Sequence, residues 1–550
     1  MIEHRPLPFG SLTRRTFGSL TSAVAFELLT TRRAQAADNS QPPAITGGVS
    51  SGDVRAHSAV VWSRCDRTAE MFVEYGVETE ASVAVVGPVL ATAASGFTAR
   101  VLLSDLPAGQ RIHYRVWFRD SSGKLSPPAE GHFQTAPADD AQADIFFAWS
   151  GDVAGQGFGI NPAWGGMKIF ESIRRLHPQF FVHSGDHIYA DDPIPESIPL
   201  ADGGTWVNVV TPGKSHAAQT LEDFRDNYAY NLLDEHVRQF HAEVPLVVQW
   251  DDHETTNNWY PGETLANRKD AAKYPQVKSA TELAARAKQA FFEFMPIGFH
   301  EEERDRIYRS FRYGRSMELF VLDQRSYRGP NSKNTATSGP EVTFLGQKQL
   351  QWLKDGLKAS QSTWKVIASD MPIGMIVGDA LEGKPNFEAV ANAEPGKPSG
   401  RELEFAELFR FLKAEGVKNV IWLTADVHHA VAHRYSPEKA GFGEPFEPFW
   451  EFVAGPLNAG TFGPSKLDAT FGPEVKFQWA PKAGMTLPSG RVLEKGYKLP
   501  LSPIDGLQTF GTVRIDGATQ KLTVEFRGID GEVIVVDGQT GRIELEPAHR

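Results

Sequence analysis

Three short segments combine acidic residues with histidine, each at the close of an apolar run. They are Phe180-Phe-Val-His-Ser-Gly-Asp-His-Ile-Tyr189, Leu246-Val-Val-Gln-Trp-Asp-Asp-His-Glu254 and Val420-Ile-Trp-Leu-Thr-Ala-Asp-Val-His-His429. A fourth, Ile145-Phe-Phe-Ala-Trp-Ser-Gly-Asp152, ends on a single carboxylate. Asp152, Asp186, Asp252, Asp426 and His428 are oxygen and imidazole donors; gathered at one rim, their charge can be offset only by cations. That chemistry is metal binding. Tyr189 adds a phenol three residues after Asp186. Tyrosine ionises near pH ~10, so a phenolate at neutral pH requires a strong Lewis acid such as a ferric ion. Taken alone, Gly-Asp-x-x-Tyr also reads as a capped turn beside a packed tyrosine. Asp251-Asp-His-Glu254 is more specific, because ionisable residues that follow a buried strand this closely cannot all be solvated. Asp426-x-His428 reads as an extended segment with both side chains on one side and His429 on the other, in support.

Such residues need a scaffold that brings distant segments together. Short apolar runs with β-branched and aromatic members predict buried parallel strands at 145–149, 179–183, 245–250, 317–323, 364–369 and 419–424. Helices are predicted at Trp164–Leu176, Ala280–Phe294, Gly346–Leu357 and Arg401–Glu415. The alternation argues for an α/β domain with a largely central sheet, and ligands gather beyond the carboxyl ends of strands in such sheets. The long polar stretches 190–220, 255–278 and 375–400 are expected to border the site. Upstream, Val54–Trp62, Met71–Tyr75, Thr98–Leu103 and His113–Phe118 are short strand candidates separated by turn residues. They predict a small all-β sandwich over 45–135, joined through Thr135–Asp140 to a catalytic domain over 144–540. Thr509–Ile515 and Lys521–Arg527 are expected to pair antiparallel around Asp516-Gly517.

A chain of 550 residues is too long for one ordinary core, which agrees with two domains. The net charge of −12 argues against a general nucleic-acid or anionic-membrane binder. It leaves a phosphorylated substrate open, because bound metal reverses the local sign. Cys65 is the single cysteine, which excludes an internal disulfide and any multi-thiolate metal site. Near the N-terminus, Thr13-Arg-Arg-Thr-Phe17, a moderately apolar stretch from Leu20 to Leu29 and Ala34-Gln-Ala36 resemble a twin-arginine export signal over 1–36. This predicts use of the twin-arginine export machinery and a periplasmic or secreted protein. No other segment is long and apolar enough to suggest a transmembrane anchor.

Together the motifs resemble the PhoD-type alkaline phosphatases and related phosphodiesterases of the metallophosphoesterase superfamily. Ile45-Thr-Gly-Gly-Val-Ser-Ser-Gly-Asp53 and Ala59-Val-Val-Trp-Ser63 look like the start of that family's N-terminal β domain. Ser184-Gly-Asp-His-Ile-Tyr189, Trp250-Asp-Asp-His-Glu254, Leu322-Asp-Gln-Arg-Ser-Tyr327 and Ala425-Asp-Val-His428 look like its catalytic motifs. The resemblance implies an αββα catalytic domain that hydrolyses small phosphate esters by attack of a metal-bound hydroxide on phosphorus. It implies Asp186 as bridging ligand, Tyr189 and His428 on a first metal, and Asp252 and Asp426 on a second. His253 would contact the phosphate and protonate the leaving group, and Arg325 and Arg328 would be substrate or scaffold contacts. Where the best-known members carry a cysteine as iron ligand, this chain has Ser150-Gly-Asp152. Asp152 can take that place, as an aspartate does in the related purple acid phosphatases. The four aspartates and an ionised Tyr189 carry five negative charges, which one trivalent and one divalent cation balance. Iron at the Tyr189 site and calcium, magnesium or manganese at the carboxylate site are the expected cofactors. The alternatives are a phosphodiesterase or phospholipase D-like enzyme on the same scaffold, a non-catalytic phosphate- or metal-binding protein, and a carboxylate-pair glycosidase.

Overall fold

The four site-bearing runs form strands at Ile145–Ser150, Phe181–Ser184, Leu246–Gln249 and Val420–Thr424, and nearly every residue in them is buried. A computed structural model describes residues 40–379 and 385–548; the export signal expected at 1–36 lies outside them. The four strands do not share one sheet. The first three are adjacent and parallel, with Ala148 and Leu246 both in register with Phe181. Val420–Thr424 belongs to a second sheet. The largely central sheet expected from the sequence is therefore two sheets, because a buried strand reads the same whichever sheet receives it.

The first sheet has nine strands, in the order Arg542–Leu545, Leu522–Gly528, Thr509–Ile515, Ile145–Ser150, Phe181–Ser184, Leu246–Gln249, Ile45–Gly52, Ala59–Cys65, Thr98–Leu103. The second has seven, in the order Arg309–Tyr313, Met317–Val321, Trp364–Ala368, Val420–Thr424, Phe449–Val453, Ala430–Tyr435, Pro473–Trp479. Side chains alternate across each strand, and this sorts the apolar residues into layers. Phe147, Trp149, Val182 and Val247 of the first sheet meet Leu319, Val366, Leu423 and Phe452 of the second in a core between the sheets. On the opposite face, Phe181, Leu246 and Val248 pack with Ile169, Phe240, Leu283 and Phe291. Those residues come from helices Lys168–Arg175, Glu235–Glu243 and Ala280–Phe294. Phe320, Ile367 and Trp422 pack with Leu353, Phe405 and Phe409 from helices Gln347–Ala359 and Glu402–Ala414. The result is a four-layer αββα arrangement.

The N-terminal region is all-β. A four-stranded sheet, Ala84–Ala91, Ala69–Val77, Arg111–Arg119, Ala129–Gln134, faces the last three strands of the nine-stranded sheet across Val61, Met71, Val73, Val116 and Phe118. One layer of this sandwich is thus continuous with the catalytic sheet, through Gly52 paired in parallel with Leu246.

The helix expected from Trp164 begins only at Lys168. Gly166 stands at φ 72, and a Cβ there would lie 2.3 Å from Asp234 Oδ2, so the chain must turn before the helix can start. Among the described residues no helix is long and apolar enough to cross a membrane.

Candidate functional site

Three of the four strands end in a tight loop whose acidic residue takes a left-handed backbone conformation. Asp152, Asp186 and Asp426 have φ values of 64, 52 and 66, and His428 has 56. The left-handed region costs a non-glycine residue on the order of 1 kcal/mol. Four such residues at one rim mark a site whose geometry is held by the surrounding structure rather than by local preference. Two glycines make the crowding possible. A Cβ on Gly185 would lie 2.4 Å from Asp251 Cβ, and one on Gly455 would lie 2.3 Å from Asp152 Oδ2.

The side chains fall into three overlapping groups: Asp152, Asp186 and His428; Asp186, Asp252 and His253; Asp251, Asp252 and Asp426. Within each group the donor atoms lie within 4.8 Å of one another. Asp186 and Asp252 each belong to two groups and so join them into one cluster. The sequence expectation for Asp426 and His428 needs correction. They do not alternate along an extended segment; both sit in a bend beyond Thr424, in left-handed conformations. The bend separates them, so His428 joins Asp152 while Asp426 joins Asp251.

The imidazoles are oriented by their other nitrogens. His428 Nδ1 donates to the Gly460 carbonyl at 2.6 Å, which leaves Nε2 as the lone-pair nitrogen, 3.6 Å from Asp152 Oδ1. The buried Tyr189 hydroxyl lies 2.8 Å from the same Nε2. His253 Nδ1 donates to Asp191 Oδ1 at 2.6 Å, and Asp191 Oδ2 accepts Asn257 N–H at 2.9 Å. Burial works against a charge on His253, but Asp191 and Asp252 outweigh it and carry its pKa up to about 10.

The carboxylates show what is needed to complete the site. Burial, with Asp251 next, pushes Asp152, Asp186 and Asp426 well above the usual carboxylate range. Neither oxygen of Asp152 has a hydrogen-bond partner, and Asp252 Oδ1 has none either. Asp252 Oδ2 accepts Asn258 N–H at 2.5 Å. Buried, unpartnered carboxylate oxygens beside a correctly turned imidazole fit hard or borderline cations. Ser150 turns away and donates to the Thr509 carbonyl at 2.9 Å, so Asp152 alone fills the end of its strand. Cys65 is buried in the N-terminal sandwich and takes no part.

Arg325 and Arg328 do not reach the cavity, which corrects the expectation of substrate contact. Arg325 is wholly buried behind the site, pairing with Asp251, with Asp370 at 3.1 Å and with Glu388; Asp426 Oδ1 lies 3.9 Å away. Arg328 pairs with Glu388 at 3.6 Å and lies over the Phe344 ring. Buried among these protein groups, both fit the scaffold side of the expectation. His429 donates Nδ1–H to the Val427 carbonyl at 2.8 Å and so braces its own loop. Sequence reasoning left Asp191, Asp251 and Glu254 without roles. The acidic pair Asp191-Asp192, which follows Tyr189 after Ala190, was the readable signal for the first.

The site opens into a cavity of about 320 Å³, lined by Asp186, Asp252, His253 and His428 together with the apolar Ile376, Val377 and Phe462.

Residues 147–526 match the model of the PhoD-like phosphatase family, and residues 31–137 match that of the PhoD-like phosphatase N-terminal domain. Alkaline phosphatase D of Bacillus subtilis (strain 168) is 30% identical over 265 residues, which is 45% of this chain and 40% of that protein. The aligned part therefore spans less than half of that relative. The solved structure of PhoD superposes with a TM-score of 0.63 at 22% identity, over 92% of this chain and 89% of that one. Purple acid phosphatase PPD1 from yellow lupin (Lupinus luteus) seeds gives 0.51 at 12% identity, over 92% and 74%. Both share the fold.

Proposed function

From the premise that this chain belongs to the PhoD-like phosphatase family, and so to the phosphoric ester hydrolases, we propose that it is a metal-dependent hydrolase of phosphodiesters with a small apolar substituent. Simple monoesters are the second substrate. The observation that carries the metal dependence is the set of buried, unpartnered oxygens of Asp152 and Asp252 within the overlapping groups that share Asp186 and Asp252. Bound cations would supply Lewis acidity and an activated water. Asp152, Asp186, Tyr189 and His428 would hold the first, for which phenol and imidazole favour iron. Asp186, Asp252 and Asp426 would hold the second, for which carboxylates favour calcium, magnesium or manganese.

The remaining work falls to this chain's own groups. Asp191 fixes the His253 ring through Nδ1, so Nε2 faces the cavity. In its protonated form it hydrogen-bonds a phosphoryl oxygen and then delivers the proton to the departing alkoxide. The preference for diesters rests on the residues that line the cavity beside the cation positions. Among the described residues that line the cavity there is no lysine or arginine, and His253 is the one among them that carries a positive charge. A monoester brings two negative charges and a diester one, and the apolar lining residues Ile376, Val377 and Phe462 suit a second ester substituent. Residues 1–36 lead us to place the enzyme in the periplasm or outside the cell, after export by the twin-arginine route.

The test is hydrolysis of bis-p-nitrophenyl phosphate and p-nitrophenyl phosphate before and after chelation, with metal content determined on the same sample. The expected result is chelator-sensitive turnover, with the larger kcat/KM on the diester. A larger value on the monoester reverses the substrate assignment. Full activity in chelated, metal-free protein removes the metal centre from the reaction.

A further inference from the structure

Asp186 and Asp252 lie on loops from neighbouring strands, and the spacing of those loops decides whether both carboxylates can reach one cation. The Asp251-Asp-His-Glu254 motif ends on a residue that touches both loops. Glu254 is fully buried. One of its carboxylate oxygens accepts Asp251 N–H at 2.7 Å and Asp186 N–H at 3.1 Å; the other accepts His187 N–H at 2.6 Å. Two of these amides belong to the Asp186 loop, and the third precedes Asp252. The Asp186 amide is that of a residue held at φ 52, so the bond offsets strain at the ligand itself. The loops are close enough to need a clamp, since Gly185 leaves no room for a Cβ against Asp251. From the other side, Asn231 Nδ2 donates to the His187 carbonyl at 2.5 Å.

We propose that Glu254 is a positioning residue, a buried carboxylate clamp that sets the distance between Asp186 and Asp252 and thereby the affinity of the cation position they share. It rests on the assignment of Asp186 and Asp252 as metal ligands. Glu254 does not line the cavity, and it acts only through the two loops. A carboxylate is required because three N–H groups converge from two sides. In Glu254→Gln the size is kept, but the amide nitrogen must face at least one backbone N–H, and that bond becomes a repulsion. Glu254→Asp keeps the charge on a stem one methylene shorter, which cannot reach both loops equally.

The experiment uses the full-length protein stripped of metal, as wild type, E254Q, E254D and D186N. Three quantities are read: Mn²⁺ affinity by calorimetry, amide hydrogen exchange at Asp186 and His187 in the metal-free protein, and kcat and KM at saturating Mn²⁺. For E254Q the affinity is expected to fall about ten- to a hundredfold, as for other residues that orient metal ligands. Exchange at the two amides should quicken, and kcat should fall about tenfold while KM changes less than about threefold. E254D should recover part of each loss. Wild-type affinity and wild-type amide protection in E254Q overturn the clamp. So does a lowered Tm with Mn²⁺ affinity unchanged, which marks a role in folding alone. Should E254Q fail to fold, the same readings on E254D decide. D186N separates the two levels. Loss of Mn²⁺ binding in D186N with none in E254Q defeats only the clamp, whereas undiminished binding in D186N defeats the ligand assignment beneath it.

Discussion

His253 is where the proposed chemistry can be tested one residue at a time. Its ring is held by Asp191 at 2.6 Å and lies 4.3 Å from the Tyr189 ring, while its backbone N–H donates to Asp186 Oδ1 at 3.2 Å. Replacing the side chain leaves that backbone bond and the carboxylates in place. His253→Ala is therefore expected to lower kcat by about 10²- to 10⁴-fold, the range of a lost general acid, with metal content close to wild type. Parallel elemental analysis and kinetics check this; equal loss of metal and activity would make His253 a ligand instead. At this scale most of the site was legible, because aspartate, tyrosine and histidine declare their chemistry wherever they stand. For Arg325 and Arg328 the sequence left substrate and scaffold contact open, because a guanidinium reads alike whether it faces a substrate or, as for Arg325 here, is enclosed by Asp251, Asp370 and Glu388.

Elements follow the same division. Ala280–Phe294 and Thr98–Leu103 lie where the sequence puts them, since long periodic segments carry their own signal. Helices Leu221–Asn231 and Glu235–Glu243 went unread. Leu221–Asn231 has weak apolar periodicity and Glu235–Glu243 is only 9 residues long, yet both carry caps. Thr220 and Asp223 form a reciprocal capping box, and the Asp234 side chain accepts the N–H groups of His236 and Val237. A cross-strand pair in the N-terminal sandwich supplies a prediction on pH. His132 on Ala129–Gln134 faces His113 on Arg111–Arg119, with Arg111 Nη2 2.9 Å from its Nε2. Burial, then Arg111 and His113, lower the His132 pKa to about 4. The unfolded chain takes up that proton first, near pH ~6.5. Stability from this group is thus complete above that value and is lost as pH falls toward 4. For a half-buried ring the loss is about 1–2 kcal/mol after solvent screening. Urea unfolding at pH 7 and pH 4.5 is expected to show a smaller acid loss in His132→Gln than in wild type; equal losses would refute it.

Across the whole molecule the N-terminal sandwich and the catalytic layers share one sheet, and a buried ion pair reinforces the junction. Arg309 Nη2 lies 2.7 Å from Asp53 Oδ1, and Asp53 Oδ2 also accepts Gly298 N–H at 2.8 Å. Asp53→Ala strands the buried guanidinium and is expected to cost about 3–5 kcal/mol. Because the sheet is continuous, wild type and variant should each unfold in one transition followed by fluorescence and by circular dichroism alike. Separate transitions for the two regions would contradict that coupling.

The sequence by itself determined the candidate oxygen and imidazole donors and the strand ends that carry them. Those properties reside in side-chain chemistry and in periodicities a few residues long. Only the tertiary structure decided that Val420–Thr424 crosses to the second sheet, that Asp426 and His428 part company in left-handed turns, and that Asp191 and Glu254 hold the active groups in place. Asp191 meets His253 across 62 residues of chain, and Glu254 meets His187 across 67. Pairings of that kind are set by the packing of layers, which no local pattern encodes.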